Sequence, residues 1–186
     1  MPAAPVLNDI LERPGLVAGL LAAGAAAMLL GAFAFQYIGG LAPCVLCIWQ
    51  RWPYAVVIGL GLIGAGLARG TAPPKGALAA VLGLAALALF VDAVIAGFHV
   101  GVEQKWWEGT QACVGPGSSS GKTAQQMVAE LLANTKVVRC DEVPWSLGGI
   151  SMAGYNMMAA LGMGIFATLG ALRAAGRGGE GEVIHG

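Results

Sequence analysis

Polar residues interrupt this chain at few places, and the stretches between them set its plan. Apolar runs extend from about Gly15 to Tyr37, Ile48 to Leu67, Ala77 to Phe98 and Leu147 to Leu172. Each approaches the ~20 residues that a helix needs to cross a bilayer. The runs are apolar on every side, so periodicity adds little. The pattern predicts an all-α membrane protein. Its expected form is a four-transmembrane-helix bundle, a single integral membrane domain over residues 1–186, with helices at about 15–37, 48–67, 77–98 and 147–172. Small residues recur in the runs. GLVAG (Gly15–Gly19) and GLARG (Gly66–Gly70) fit the small-xxx-small pattern of close helix packing.

Composition agrees with the pattern. Hydrophobic residues make up 57% of the 186 and charged residues 11%, where a soluble domain carries about 25% charged residues. Formal net charge is zero, which gives no reason to expect nucleic acid. The AFA near the end of the first run resembles a signal-cleavage site. However, the run exceeds the ~7–15 residues of a signal core, and its leader carries Asp9 and Glu12 against Arg13. It reads as a retained helix.

Lysines and arginines in short flanks set orientation. Arg13 precedes the first helix, Arg69 and Lys75 join the second to the third, and Arg173 and Arg177 follow the fourth. The first link has no charge before Arg51. Both termini, including tail 173–186, are therefore expected to be cytoplasmic, with loops of about 38–47 and 99–146 outside. All four cysteines then fall on the outer side, which in a bacterium is the disulfide-permissive periplasm. In the long loop, Ser118–Lys122 reads as a polar break and Thr123–Thr135 as a short amphipathic helix. Met127, Val128, Leu131 and Leu132 share one of its faces, with Gln125, Gln126 and Glu130 elsewhere. That helix lies on the membrane surface, or packs on the bundle or a partner.

The chemistry concentrates in PCVLCIWQRWPY, Pro43–Tyr54. Pro43 suits the first turn of a helix. A helix starting there puts Cys44 and Cys47 in its first turn, where the dipole favours thiolate. Arg51, four residues beyond Cys47, falls on the same face. It is expected to stabilise a Cys47 thiolate or an anionic ligand, or to snorkel to lipid phosphates. A c-type haem site needs His after the second Cys; Ile48 stands there. Zinc needs two more ligands near the pair. Cys113 and Cys140 do not form a second knuckle, and no metal is expected. As a structural staple, CxxC closes a loop too small to remove much chain entropy. Its spacing is that of redox pairs.

Other candidates are weaker. CVGPGSSSGKT looks like a phosphate loop, but its pattern needs Gly where Pro116 stands. His99 is placed at the outer end of the third helix. Asp92, two turns deeper, should face the bundle interior, water or a cation, with Arg51 as a candidate partner. Trp106, Trp107 and Trp145 are expected in an interfacial aromatic belt.

PCVLCIWQR resembles the signature of the disulfide bond formation protein B (DsbB) family. FHVGVEQKWW and CDEVPWSLGGISMAGYN also resemble segments of bacterial members, and the likeness spans about Gly15 to Leu172. A Glu often precedes the family's arginine; here it is Gln50. The resemblance implies a membrane oxidase that reoxidises a periplasmic DsbA-like thioredoxin-fold protein and passes electrons to the membrane quinone pool, ubiquinone or menaquinone, in the bacterial inner membrane. By this likeness Cys113 exchanges with the partner and Cys140 is its pair. Cys44 exchanges with the outer pair through a transient Cys44–Cys140 bridge. Cys47 faces the quinone, Arg51 stabilises the quinone and the Cys47 thiolate, and His99 lies near the quinone. Such a partner has a potential near −120 mV, against about −180 to −270 mV for ordinary CxxC pairs, so a strong terminal acceptor is required. Two other readings stand beside this one. In a reductase of the vitamin K epoxide type, the membrane CxxC follows the loop cysteines, whereas here it precedes them. A non-enzymatic assembly protein with two structural disulfides keeps a constant thiol count, whereas a relay changes it.

Overall fold

The computed structural model describes residues 3–70, 75–110, 113 and 139–179. The segments 118–122 and 123–135, read above as a break and an amphipathic helix, lie outside the described residues. The described elements are α1 (Ala3–Leu11), α2 (Pro14–Tyr37), α3 (Val45–Trp49), α4 (Arg51–Leu67), α5 (Lys75–Glu103), β1 (Ser146–Leu147), β2 (Ile150–Ser151) and α6 (Met152–Gly179). Among the described residues, four spans are long and apolar enough to cross a membrane: Pro14–Tyr37, Val45–Leu67, Gly76–Glu103 and Met152–Gly176. The chain is a four-helix membrane bundle.

Local chemistry explains the boundaries. Pro14 opens α2 at the position where its missing N–H is harmless. Pro53 has no N–H to give the carbonyl four residues back, at Trp49. The second span accordingly divides there into α3 and α4, joined at Gln50. Helix α5 runs five residues beyond the expected Phe98, so His99 lies one turn inside the helix instead of ending it. The fourth helix begins at Met152, not near Leu147. Gly148 and Gly149 both adopt positive φ, 57° and 82°. They form a two-residue turn that pairs Leu147 with Ile150 and Ser146 with Ser151. The leader forms α1, where Asp9 and Arg13 pair at 3.1 Å.

The bundle packs mainly through α5 against α6 and α2 against α4, with α4 against α5 joining the two pairs. Val17, Leu21, Val57, Leu82 and Leu89 are buried at its centre. Leu30, Leu62, Val94 and Leu172 point outward and remain exposed, as lipid-facing side chains do. The close approach of α2 and α4 uses Gly61 and Gly64 against Ala18 and Ala22. A Cβ on Gly61 would lie 2.6 Å from the Ala18 carbonyl oxygen. Of the glycines in the two small-residue motifs, Gly15 meets Ala68, but Gly19 and Gly66 face open space. The motif spacing located this helix pair, and the contact of Gly15 with Ala68, which joins the two motifs, is closer still than that at Gly61.

Candidate active site

The two cysteine pairs meet at one end of the bundle. Cys44, Leu46, Val102, Cys113 and Cys140 form a second buried cluster, with Cys47 and Ile95 packed against it. Cys113 and Cys140 are joined as a disulfide, with Cα atoms 5.0 Å apart. The Cys140 N–H donates to the Cys113 carbonyl at 3.2 Å, and the Thr110 hydroxyl donates to Cys113 Sγ at 3.3 Å. Cys44 and Cys47 are free. Cys44 does not lie within the first turn as the position of Pro43 suggested. It is the N-cap of α3, with extended backbone, and its sulfur accepts the Cys47 N–H at 3.3 Å. That cap turns the two sulfurs toward each other, 2.8 Å apart. The hydrogen bond to Cys47, with burial adding to it, pushes the Cys44 thiol well above the ordinary thiol range.

Helix α5 brings the partner of the pair. His99 is buried, and its Nε2 lies 3.6 Å from Cys44 Sγ. Glu103, one turn on, places Oε1 3.9 Å from the same nitrogen. The Ser151 hydroxyl donates to the other oxygen of Glu103 and accepts the Gly154 N–H at 3.1 Å, so the residue that caps α6 also holds Glu103. On the far side of the imidazole, Gln50 Nε2 is 3.2 Å from Nδ1. With that amide donating to Nδ1, Nε2 carries the hydrogen and directs it toward Cys44 and Glu103.

The network continues inward. Asn156 Nδ2 donates to Gln50 Oε1 and to Asp92 Oδ2, both at 3.0 Å, and the Tyr54 hydroxyl donates to Asn156 Oδ1 at 2.7 Å. Asp92 is fully buried. It is met by Asn156 rather than by Arg51, and its Oδ1 has no hydrogen-bond partner among the described residues. The interior location matches the expectation for an intramembrane carboxylate; the cationic partner does not.

Arg51 turns inward. Its guanidinium stacks over Phe33 at 4.9 Å from the ring centroid, and its Nε is buried without a hydrogen-bond partner among the described residues. It lines a cavity of about 460 Å³ together with Cys44, Cys47, His99 and Glu103, and the opposite wall is apolar, with Met28, Leu29, Phe35 and Leu41. Arg139 and the segment Glu142–Trp145 close another side. There Arg139 grips Asp141 with two bonds of 2.9 and 2.7 Å, which holds the Asp141 carboxyl below the usual carboxylate range. Trp145 packs on Phe35 and Tyr155, at 5.2 and 6.1 Å between ring centroids, and lines this cavity. Trp107 donates to the Phe98 carbonyl at 3.0 Å, and both Trp106 and Trp107 remain exposed.

A model of the family "Disulfide bond formation protein DsbB" matches residues 14–170. The chain belongs to the DsbB family. Relatives named disulfide bond formation protein B agree. The Methylococcus capsulatus protein is 35% identical over 157 residues, covering 77% of this chain and 85% of its own. The Verminephrobacter eiseniae protein is 32% identical over 177 residues, covering 88% and 90%. A shorter match, 48% identical over 46 residues, is to the protein of Aeromonas salmonicida, with 25% and 27% covered. No solved structure matches.

The chain is therefore a multi-pass membrane protein of disulfide bond formation. Within this DsbB-family site, Cys44, Cys47, Arg51 and His99 converge on one cavity, and Cys113 and Cys140 pack beside them. Sequence reasoning missed Tyr54, Glu103 and Asn156, and marked Gln50 only as a departure from the family's usual Glu. The polar residues of α5 carry the signal that was available. Asp92, His99 and Glu103 recur at spacings of seven and four within an apolar run, which is one face of a helix.

Proposed function

We propose that this DsbB-family protein is a protein-dithiol:quinone oxidoreductase. It reoxidises a DsbA-like thioredoxin-fold protein at the periplasmic face of the bacterial inner membrane, with both chain termini in the cytoplasm. One observation carries this reading: the free Cys44–Cys47 pair opens on an apolar cavity beside Arg51, while the joined Cys113–Cys140 pair packs against its other side.

The cavity fits a quinone head group. At about 460 Å³ it lies within the ~300–1,000 Å³ typical of small-molecule sites. Its walls are mainly apolar, as a ring and isoprenoid tail require. The Arg51 Nε, unpartnered among the described residues, is a buried donor suited to a carbonyl oxygen. Arg51 and His99 would hold the group, with Cys47 lining the same space. Bound there, ubiquinone or menaquinone supplies a two-electron acceptor for the inner pair.

The protein's own residues account for the exchange steps. A partner thiolate attacks Cys113, forming a mixed disulfide and releasing the Cys140 thiolate. The partner's second thiolate then closes the partner's disulfide and releases Cys113. With the inner pair oxidised, the Cys140 thiolate attacks Cys44 and Cys47 leaves. Cys113 next attacks Cys140, which restores the outer disulfide and releases Cys44. Two electrons have then moved inward, and the outer pair is joined with the inner pair free, the arrangement observed here. The His99 Nε2–H faces the Cys44 sulfur on which charge develops as it leaves. Cys113 is buried, but a second cavity of about 390 Å³, lined by Lys105, Trp106 and Trp107, reaches it from the outer side. That is the approach available to a partner thiol.

The test uses purified protein in detergent with reduced thioredoxin-fold partner and quinone, following partner thiols and quinone absorbance together. One quinone should disappear per partner disulfide formed. Partner oxidation that proceeds equally without quinone under anaerobic conditions would overturn the reading.

A further inference from the structure

Zinc was set aside in the sequence because no second pair of ligands stands near CVLC. The fold supplies one from α5. Cys44 Sγ, Cys47 Sγ and a ring nitrogen of His99 all lie within 4.8 Å of one another. Glu103 Oε1 stands 3.9 Å from His99 Nε2, the same nitrogen that faces Cys44, but outside that three-donor cluster, so its carboxylate must swing toward the sulfurs to become the fourth ligand. We propose that the reduced Cys44–Cys47 pair, with His99 and Glu103, forms a buried four-donor site for a thiophilic divalent cation of the zinc class. The proposal rests on the inner pair cycling between dithiol and disulfide, and not on which acceptor takes its electrons.

The geometry is close to what such an ion requires. Zn–S bonds of about 2.3 Å and Zn–N bonds of about 2.0–2.1 Å in a tetrahedron place sulfur ~3.5 Å from nitrogen and the two sulfurs ~3.8 Å apart. The Cys44–His99 separation is 3.6 Å. The sulfurs, at 2.8 Å, must spread by about 1 Å, which side-chain rotation at Cys47 provides. His99 and Glu103 are four residues apart on α5, so they project from one face.

The surroundings are also those of a metal site. The Ser151 hydroxyl already holds the second carboxylate oxygen of Glu103, leaving Oε1 free to coordinate. The Gln50 amide abuts His99 Nδ1. When Nε2 coordinates, Nδ1 must carry the ring hydrogen, and a half-turn of the Gln50 amide presents its oxygen to it at the cost of the Asn156–Gln50 hydrogen bond. Arg51, on the same cavity wall, offsets the negative charge of two thiolates and a carboxylate around a dication. Binding releases both thiol protons to solvent. Oxidation of the pair to a disulfide removes both sulfur ligands, so the site exists only in the reduced state. A cation held there keeps Cys44 and Cys47 from exchange, and the loaded protein is an arrested oxidase.

Cobalt(II) is the probe. The full chain, carrying Cys113→Ser and Cys140→Ser so that only the inner pair titrates, is reduced with a phosphine in detergent and titrated anaerobically without quinone or partner. One equivalent should give thiolate-to-cobalt charge-transfer bands and the visible bands of tetrahedral cobalt. One equivalent of zinc should bleach them, and prior oxidation of the pair should abolish them. His99→Ala and Glu103→Gln should each weaken binding by at least about tenfold, the smallest loss usual even for an outer-shell partner. Thermal unfolding checks that each variant is folded, and His99→Gln replaces the alanine variant if it is not. Absence of the bands in the reduced protein overturns the proposal. So does an affinity unchanged in the folded His99 and Glu103 variants, because the dithiol alone is then the ligand. Neither result bears on quinone-coupled partner oxidation, which is measured separately.

Discussion

His99 Nε2 stands 3.6 Å from Cys44 Sγ, across a sequence separation of 55 residues. The hydrogen on that nitrogen is directed by Gln50 behind the ring. A hydrogen bond to a charged group contributes about 1.5–3 kcal/mol. Removing it with His99→Ala should slow exchange at Cys44 by roughly 10- to 150-fold. Rapid-quench alkylation, following transfer of thiols from the outer to the inner pair, reads this rate. A wild-type rate in the variant would leave the ring a packing role only.

The Cys44 thiol is raised chiefly by its hydrogen bond to Cys47 and secondly by burial. A raised thiol stays protonated through neutral pH. Cys47→Ala removes the first cause and leaves the second. The Cys44 titration should therefore move down and still end above the ordinary thiol range. Alkylation rate against pH measures it; an upward move would contradict the assignment.

Asn156 holds Gln50, Asp92 and Tyr54 together. Asn156→Leu leaves buried polar groups without partners, at about 1–3 kcal/mol for each. The variant should unfold at a clearly lower temperature in detergent. A melting temperature within error of wild type would mean that water replaces the amide.

Gly61 marks a close approach of α4 to the α2 backbone. Gly61→Val should destabilise by about 1–3 kcal/mol through overpacking. Gly59, with nothing within 4 Å of its added Cβ, should accept alanine without loss. Equal effects at the two glycines would contradict the packing described.

Much of the fold was legible because a bilayer demands long apolar helices, and Gly15–Tyr37 or Ile48–Leu67 admit few other readings. Boundaries were less legible. The Gly148–Gly149 turn sits inside an apolar stretch, so the hairpin looked like the start of a helix. His99 looked interfacial because α5 was ended where the apolar run stops, although a helix continues as long as its buried face does. Within the site, CVLC and Arg51 were visible as local spacing. Glu103 and Asn156 were not, because their roles depend on α5 and α6 meeting α3, and local spacing carries no such pairing. Gln50 was noticed as a departure from the family's usual Glu, but its contact with His99 required the fold.

The central claim is that the inner pair gives its electrons to quinone through Cys47. It is tested most directly by single turnover of protein with the outer pair joined and the inner pair reduced, the arrangement seen here, with one equivalent of quinone, counting quinol by absorbance and mapping disulfides by mass spectrometry. The account predicts one Cys44–Cys47 bond per quinol in wild type, and no quinol from Cys47→Ser. Quinol formed by Cys47→Ser at the wild-type rate, or formed in wild type without the Cys44–Cys47 bond, would contradict it.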